Sequence, residues 1–138
     1  MGLVLDTSAV VAMERAGVEL PDALRRLGTD DLALPAIVLA ELLVGMRLGT
    51  GKRRIEARRA KIDELREATR VVDFTAEIAE RWANLFAILE RGGNRIPAND
   101  LTVAATAAHL EFSLLVSPQD EAHFRRVRGL NVVTWQPE

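Results

Sequence analysis

Short apolar runs bounded by polar or turn residues alternate along this chain with longer segments in which apolar positions recur every three or four residues. The first pattern belongs to strands buried on both faces, the second to helices that lie against them. Strands are predicted over residues 3–5, 32–34, 71–74, 113–116 and 132–134. Helices are predicted over 8–15, 21–27, 36–48, 53–69, 75–91 and 98–110, with a short turn near 121–127. Such alternation builds a largely parallel central sheet of about five strands with helices on both faces, an α/β architecture. Gly49-Thr50-Gly51 and Gly92-Gly93-Asn94 punctuate the helices, and the prolines fall at element edges. No internal repeat, low-complexity tract or linker interrupts the pattern, so residues 1–138 are expected to form one domain.

Composition narrows the chemistry. With 49% apolar residues the chain can bury a core and is far too apolar to stay disordered. The absence of cysteine removes disulfides, zinc fingers, iron–sulfur clusters and thiol nucleophiles together, leaving oxygen or histidine as the only ligands for a metal. Charges such as Glu14, Glu41, Arg47 and Asp100 interrupt every long apolar run, so no membrane span is expected. The opening residues lack the basic region and apolar stretch of a signal peptide, and the cytoplasm is the expected compartment. A net charge of −2 argues against a uniformly basic coat for nucleic acid. Locally, however, residues 52–70 carry eight basic side chains against four acids. Arg53, Arg54, Arg58 and Arg59 in that segment can contact RNA phosphates, or the segment can be an ordinary solvated helix.

Several carboxylates occupy positions that neither a core nor a surface would select. Asp6 directly follows the first predicted strand, at the edge where parallel sheets bind ligands, although it could also cap the next helix. Glu41 has Ile37, Val44 and Gly45 as helical neighbours, a placement that costs several kcal/mol (about 3–5) unless a partner is supplied. That partner is an arginine in one reading, a cation in the other. Asp100 follows Pro97 at the start of the otherwise uncharged segment 101–108, and since Asn99 or Asp100 alone would cap it, one of the two is surplus. Asp120 follows the fourth predicted strand and could again be a cap. Asp73 is better explained as a turn or cap residue before the helix that begins at Thr75.

Strands one and four feed loops at the same edge of a parallel sheet, so Asp6, Glu41, Asp100 and Asp120 are expected to converge. Four carboxylates within about 4–6 Å repel one another by roughly 1–4 kcal/mol per pair and cannot all stay ionised without divalent cations. Mg2+ or Mn2+ suits an all-oxygen site and supports phosphodiester hydrolysis. Thr7, Ser8 and Asn99 are candidates to orient the acids. Aspartyl-phosphate chemistry fits less well: such phosphatases require a second Asp where this chain has Ser8, and receiver domains need a late strand-end lysine, whereas Lys52 and Lys61 lie mid-chain. No phosphate-binding glycine loop occurs.

These residues resemble a known family. Leu5-Asp6-Thr7-Ser8-Ala9, the helix carrying Ala40-Glu41-Leu42, Pro97-Ala98-Asn99-Asp100-Leu101 with Ala104-Ala105-Thr106-Ala107, and Asp120-Glu121-Ala122-His123-Phe124 are similar, in order and spacing, to the four acidic motifs of PIN-domain ribonucleases. The chain length and the ending Phe124-Arg125-Arg126-Val127-Arg128-Gly129-Leu130-Asn131-Val132 resemble VapC toxins of toxin–antitoxin pairs. The resemblance implies a PIN-like three-layer domain and a Mg2+- or Mn2+-dependent endoribonuclease acting on structured RNA such as transfer or ribosomal RNA. It further implies a homodimer held inactive by a VapB-type antitoxin whose C-terminal tail occupies the acidic groove. Asp6, Glu41, Asp100 and Asp120 would then be the catalytic, metal-binding quartet. One departure stands out: the family often has Thr or Ser two residues before the fourth acid, where this chain has Pro118, so that Ser117 would have to supply the hydroxyl.

A PIN-like scaffold that binds RNA or protein without cutting is the alternative, favoured when one of the first three acids is missing; here all are present. Trp82 and Trp135 are expected to be packing residues, while His123, beside the fourth acid, is placed to touch substrate. The apolar helix over 36–48 exposes more hydrophobic surface than one sheet face covers, and a subunit or antitoxin contact is expected there.

Overall fold

The computed structural model describes residues 2–137. Five strands, β1 (Leu3–Leu5), β2 (Leu32–Pro35), β3 (Arg70–Val72), β4 (Ser113–Val116) and β5 (Val132–Thr134), form one sheet in the order β3-β2-β1-β4-β5, every pair parallel. Helices α1 (Thr7–Arg15) and α2 (Leu20–Arg25) connect β1 to β2, and α3 (Ala36–Arg47) and α4 (Lys52–Ala68) connect β2 to β3. The chain then passes through α5 (Ala76–Arg91) and α6 (Ala98–Leu110) to β4, and through α7 (Glu121–Phe124) to β5. Right-handed crossovers put the α1–α4 connections on one face and the α5–α6 connection on the other, since the order runs outward from β1 in opposite directions. Among the described residues no helix is long and apolar enough to cross a membrane.

The central strands are the driest part of the molecule. Val4, Leu5, Leu114, Leu115 and Val116 are buried, as continuous apolar runs in a doubly covered parallel sheet must be. Along α6 six of seven consecutive residues, Leu101 and Val103 through Ala107, are buried, so small side chains let this helix lie close against β1 and β4. Gly2 is required by packing: a Cβ there would stand 2.3 Å from the Phe112 ring.

The expected elements are all present, and the differences lie at their ends. β3 occupies Arg70–Val72 rather than 71–74, because Thr75 caps α5 by accepting from the Ile78 N–H at 3.2 Å and draws Asp73 and Phe74 into the turn before it. Helix α6 begins at Ala98 behind Pro97, so Asn99 and Asp100 lie inside its first turn and neither is the cap.

Topology sets the position of any site. β1 leads outward to β2 and β3, whereas β4 leads the other way to β5, so the direction of winding reverses between β1 and β4. Open parallel sheets bind ligands at such a switch, beyond the carboxyl ends of the strands. Asp6 leaves β1 at that point, and Ser117 to Asp120 leave β4 there.

Candidate active site

Asp6 is 2% exposed and sits with extended backbone as the N-cap of α1, its carboxylate accepting from the Ser8 N–H at 3.1 Å and from the Ser8 hydroxyl. Capping and site membership therefore coexist in one side chain. Ser8 does a second job: its hydroxyl accepts from the Ser117 N–H at 3.0 Å, so one serine ties the loop after β1 to the loop after β4. Glu41 projects from the middle of α3, where Thr7 donates to one carboxylate oxygen at 2.6 Å and the Asn99 amide to the other at 3.4 Å. No arginine pairs with it among the described residues. Helical spacing suggests that no solvated stripe is open to Glu41, but Ala40, Val44 and Gly45 on that side of α3 are exposed, leaving it only half-buried.

Asp100, in the first turn of α6, has its Oδ2 2.8 Å from Nε2 of His123. The ring is out of line for a formed hydrogen bond, and that buried nitrogen has no other partner. The contact is thus one of charge proximity. Asp120 occupies the position before α7 yet makes no capping bond, which leaves its carboxylate uncommitted. Asp6, Glu41, Asp100 and Asp120, expected to converge, do line a single cavity of about 560 Å³ together with Thr7, Ser8 and Ser117.

Electrostatics follow from this crowding. The Asp6 carboxyl stands at about 6: burial raises it most, the two Ser8 hydrogen bonds pull it back, and the charges of Asp100 and Asp120 add to the rise. Asp100 is also raised, by burial first; the nearby His123 opposes the shift, and Asp120 and Glu41 add to it. Among the described residues, no three acidic or histidine side chains close into a group able to hold an ion as they stand. The quartet shares a cavity without forming a closed ligand cage. The donor chemistry nonetheless fits a hard dication, since all four groups offer carboxylate oxygen. Ser117, 4% exposed, contributes a buried hydroxyl with no partner on the same cavity wall, and Pro118 beside it lines the cavity too.

Not every candidate is near this centre. No side chain of α4 lines the cavity, so Arg53, Arg54, Arg58 and Arg59 lie outside it, and Arg58 reaches Glu14 on α1 at 3.5 Å. Trp82 is half-buried, stacked on Phe86 at 5.4 Å, with its indole N–H donating to Thr102 at 3.2 Å. Sequence reasoning did not place Val11, Ala12, Arg15, Ala16, Gln119 and Pro137 on this cavity, while Trp135, expected to be a packing residue, is buried in the core and also lines it. The first three lie three, four and seven residues beyond Ser8 on α1, and that helical spacing was the readable signal.

Comparison with known proteins gives a consistent outcome. The PIN domain family model matches residues 3–130. Ribonuclease VapC1 of Rickettsia felis is 30% identical over 135 residues, which covers 97% of this chain and 96% of that protein. Ribonuclease VapC5 of Mycobacterium tuberculosis is 34% identical over 130 residues, covering 94% of this chain and 93% of the other. Among solved structures, VapBC2 from Rickettsia felis bound to a DNA fragment from their promoter superposes with a TM-score of 0.84 at 27% identity, covering 99% of this chain and 100% of that one.

Proposed function

This chain belongs to the PIN domain family, and we propose that it is the endoribonuclease toxin of a toxin–antitoxin pair, hydrolysing RNA phosphodiester bonds with a divalent cation, Mg2+ or Mn2+. The observation that carries this reading is the convergence of Asp6, Glu41, Asp100 and Asp120, from four separate segments, on one cavity at the β1–β4 switch. In it, Asp6, Glu41, Asp100 and Asp120 would hold the cation. When bound, that cation supplies Lewis acidity and positive charge toward the phosphodiester.

The remaining work falls to the chain. Ser8 fixes the Asp6 carboxylate, and Thr7 and Asn99 hold Glu41 from two sides, so both acids are oriented before any ligand arrives. Burial raises the Asp6 carboxyl to about 6, so its ionised form is held at a cost that nearby positive charge would relieve. His123, whose Nε2 lies 2.8 Å from Oδ2 of Asp100, stands behind that carboxylate rather than on the cavity wall. Residues 1–138 act as one domain in this reading, located in the cytoplasm. A VapB-type antitoxin covers the acidic groove, and the exposed Val44 and Leu48 of α3 serve contact with a second subunit or with that antitoxin.

Incubation with structured RNA, with and without EDTA, tests the reading. Cleavage that EDTA abolishes and added Mg2+ or Mn2+ restores is expected; RNA cut equally well under chelation would overturn it. Co-expression of the antitoxin should restore growth that the chain alone arrests.

A further inference from the structure

The cavity around the acids is larger than a cation requires. Its volume of about 560 Å³ is in the range of pockets that bury small organic ligands. It runs along α1, where Ser8, Val11, Ala12 and Arg15 share a helix face and all line the cavity, with Trp135 completing the wall. Along that arm the lining changes from carboxylate, through apolar side chains and an indole, to a guanidinium. Arg15 is exposed and makes no ion pair among the described residues; its neighbour Glu14 is engaged by Arg58. Where the acids meet the arm, the buried Ser117 hydroxyl has no partner.

We infer that this arm is a nucleotide subsite: a base of the RNA rests against Val11, Ala12 and Trp135, and Arg15 meets a phosphate neighbouring the one that is cut. The inference rests on the acids being an RNA-cleaving centre, and it identifies what positions the strand there. A polyanion approaching four carboxylates needs a cation beside them to hold its register, and Arg15 is the arginine on the cavity wall. A nucleobase presents a flat, largely apolar face that suits an aliphatic and indole wall whatever its identity.

The test reads tryptophan fluorescence in a Trp82→Phe background, which leaves Trp135 as the only tryptophan. Titration with the four nucleoside 5′-monophosphates in Mg2+ should give a saturable change, weakened about tenfold by Arg15→Glu and abolished by Val11→Phe, with melting curves confirming that each variant folds. For a labelled oligoribonucleotide, Arg15→Ala should lower the slope of log Kd against log salt by about 0.7, the value for one phosphate contact on a single strand. Its KM should rise about tenfold while kcat stays within twofold. No response to nucleotides, a response indifferent to Arg15 and Val11, or a response to N-acetylarginine amide alone would overturn the subsite. RNA cleavage is measured in parallel: a chain that cuts RNA with no nucleotide response loses only the subsite, whereas one that binds nucleotides at the arm and cuts nothing loses only the nuclease reading.

Discussion

Two regions of this molecule concentrate charge, and they do so in opposite ways. Helix α4 carries most of a basic segment, residues 52–70, in one continuous stretch, with its charged side chains exposed and their interactions modest, such as the 3.5 Å pair of Arg58 with Glu14. The cavity at the β1–β4 switch gathers Asp6, Glu41, Asp100 and Asp120 from segments up to 114 residues apart in number, buries them to differing degrees, and raises the carboxyls of Asp6 and Asp100. Charge close together in sequence is easy for water to screen. Charge brought together by the fold stays unscreened and has to be met by a ligand or a proton.

Substitution at the acids should break this contrast most severely. Asp6→Asn and Asp100→Asn are each expected to lower RNA cleavage at least 100-fold, about 2.7 kcal/mol in barrier, with the fold retained by circular dichroism. Loss of less than tenfold in both would remove the acids from the reaction.

Next in size is the effect on stability. The Asp6 carboxyl is raised from 3.8 to about 6 by folding, so the native state holds the proton more tightly than the unfolded chain. Stability from this group is therefore intact below about pH 4, falls as the pH rises through 6, and stays reduced above. In chelator, Asp6→Asn should stabilise the protein by about 1–3 kcal/mol at pH 7 and by nothing measurable at pH 4. Urea denaturation at the two pH values checks it, and an equal effect at both would show that burial of the charge is not the cause.

Ser8→Ala should cost about 1–2 kcal/mol, since it removes a donor from buried Asp6 and leaves the Ser117 N–H unpaired between the two loops. The smallest effect belongs to the basic helix. Reversing Arg58 and Arg59 to Glu should weaken RNA binding about three- to fivefold and flatten its salt dependence, with kcat unchanged, because neither side chain lines the cavity. A loss as large as that of Asp6→Asn would make α4 an equal partner in the site and end the contrast.

Much of the fold was legible because its signals are local. The apolar runs at 3–5, 113–116 and 132–134 match β1, β4 and β5 residue for residue, and the helix over 98–110 matches α6. The end of β3 was less legible, because Val71-Val72-Asp73-Phe74 reads as one extended run until the Thr75 cap is seen to claim its last part. For the site, Asp6, Glu41, Asp100 and Asp120 stood out as acids in costly positions, and Thr7, Ser8, Asn99 and Ser117 surround them as expected. That Arg15 shares a wall with the acids was not legible, since an arginine ending a helix looks ordinary until the cavity is seen, whereas Trp135 packs into the core as expected.

The sequence by itself determined which segments become strands and helices and which carboxylates stand where solvent cannot readily serve them, because both follow from the spacing of apolar residues over one or two turns. Only the tertiary structure decided that Ser8 fastens two distant loops, that Asp100 turns toward His123, and that the acids share one cavity with Arg15. Those relations depend on side-chain directions and distances across the β1–β4 switch, set by how the sheet and helices pack rather than by any short stretch of chain.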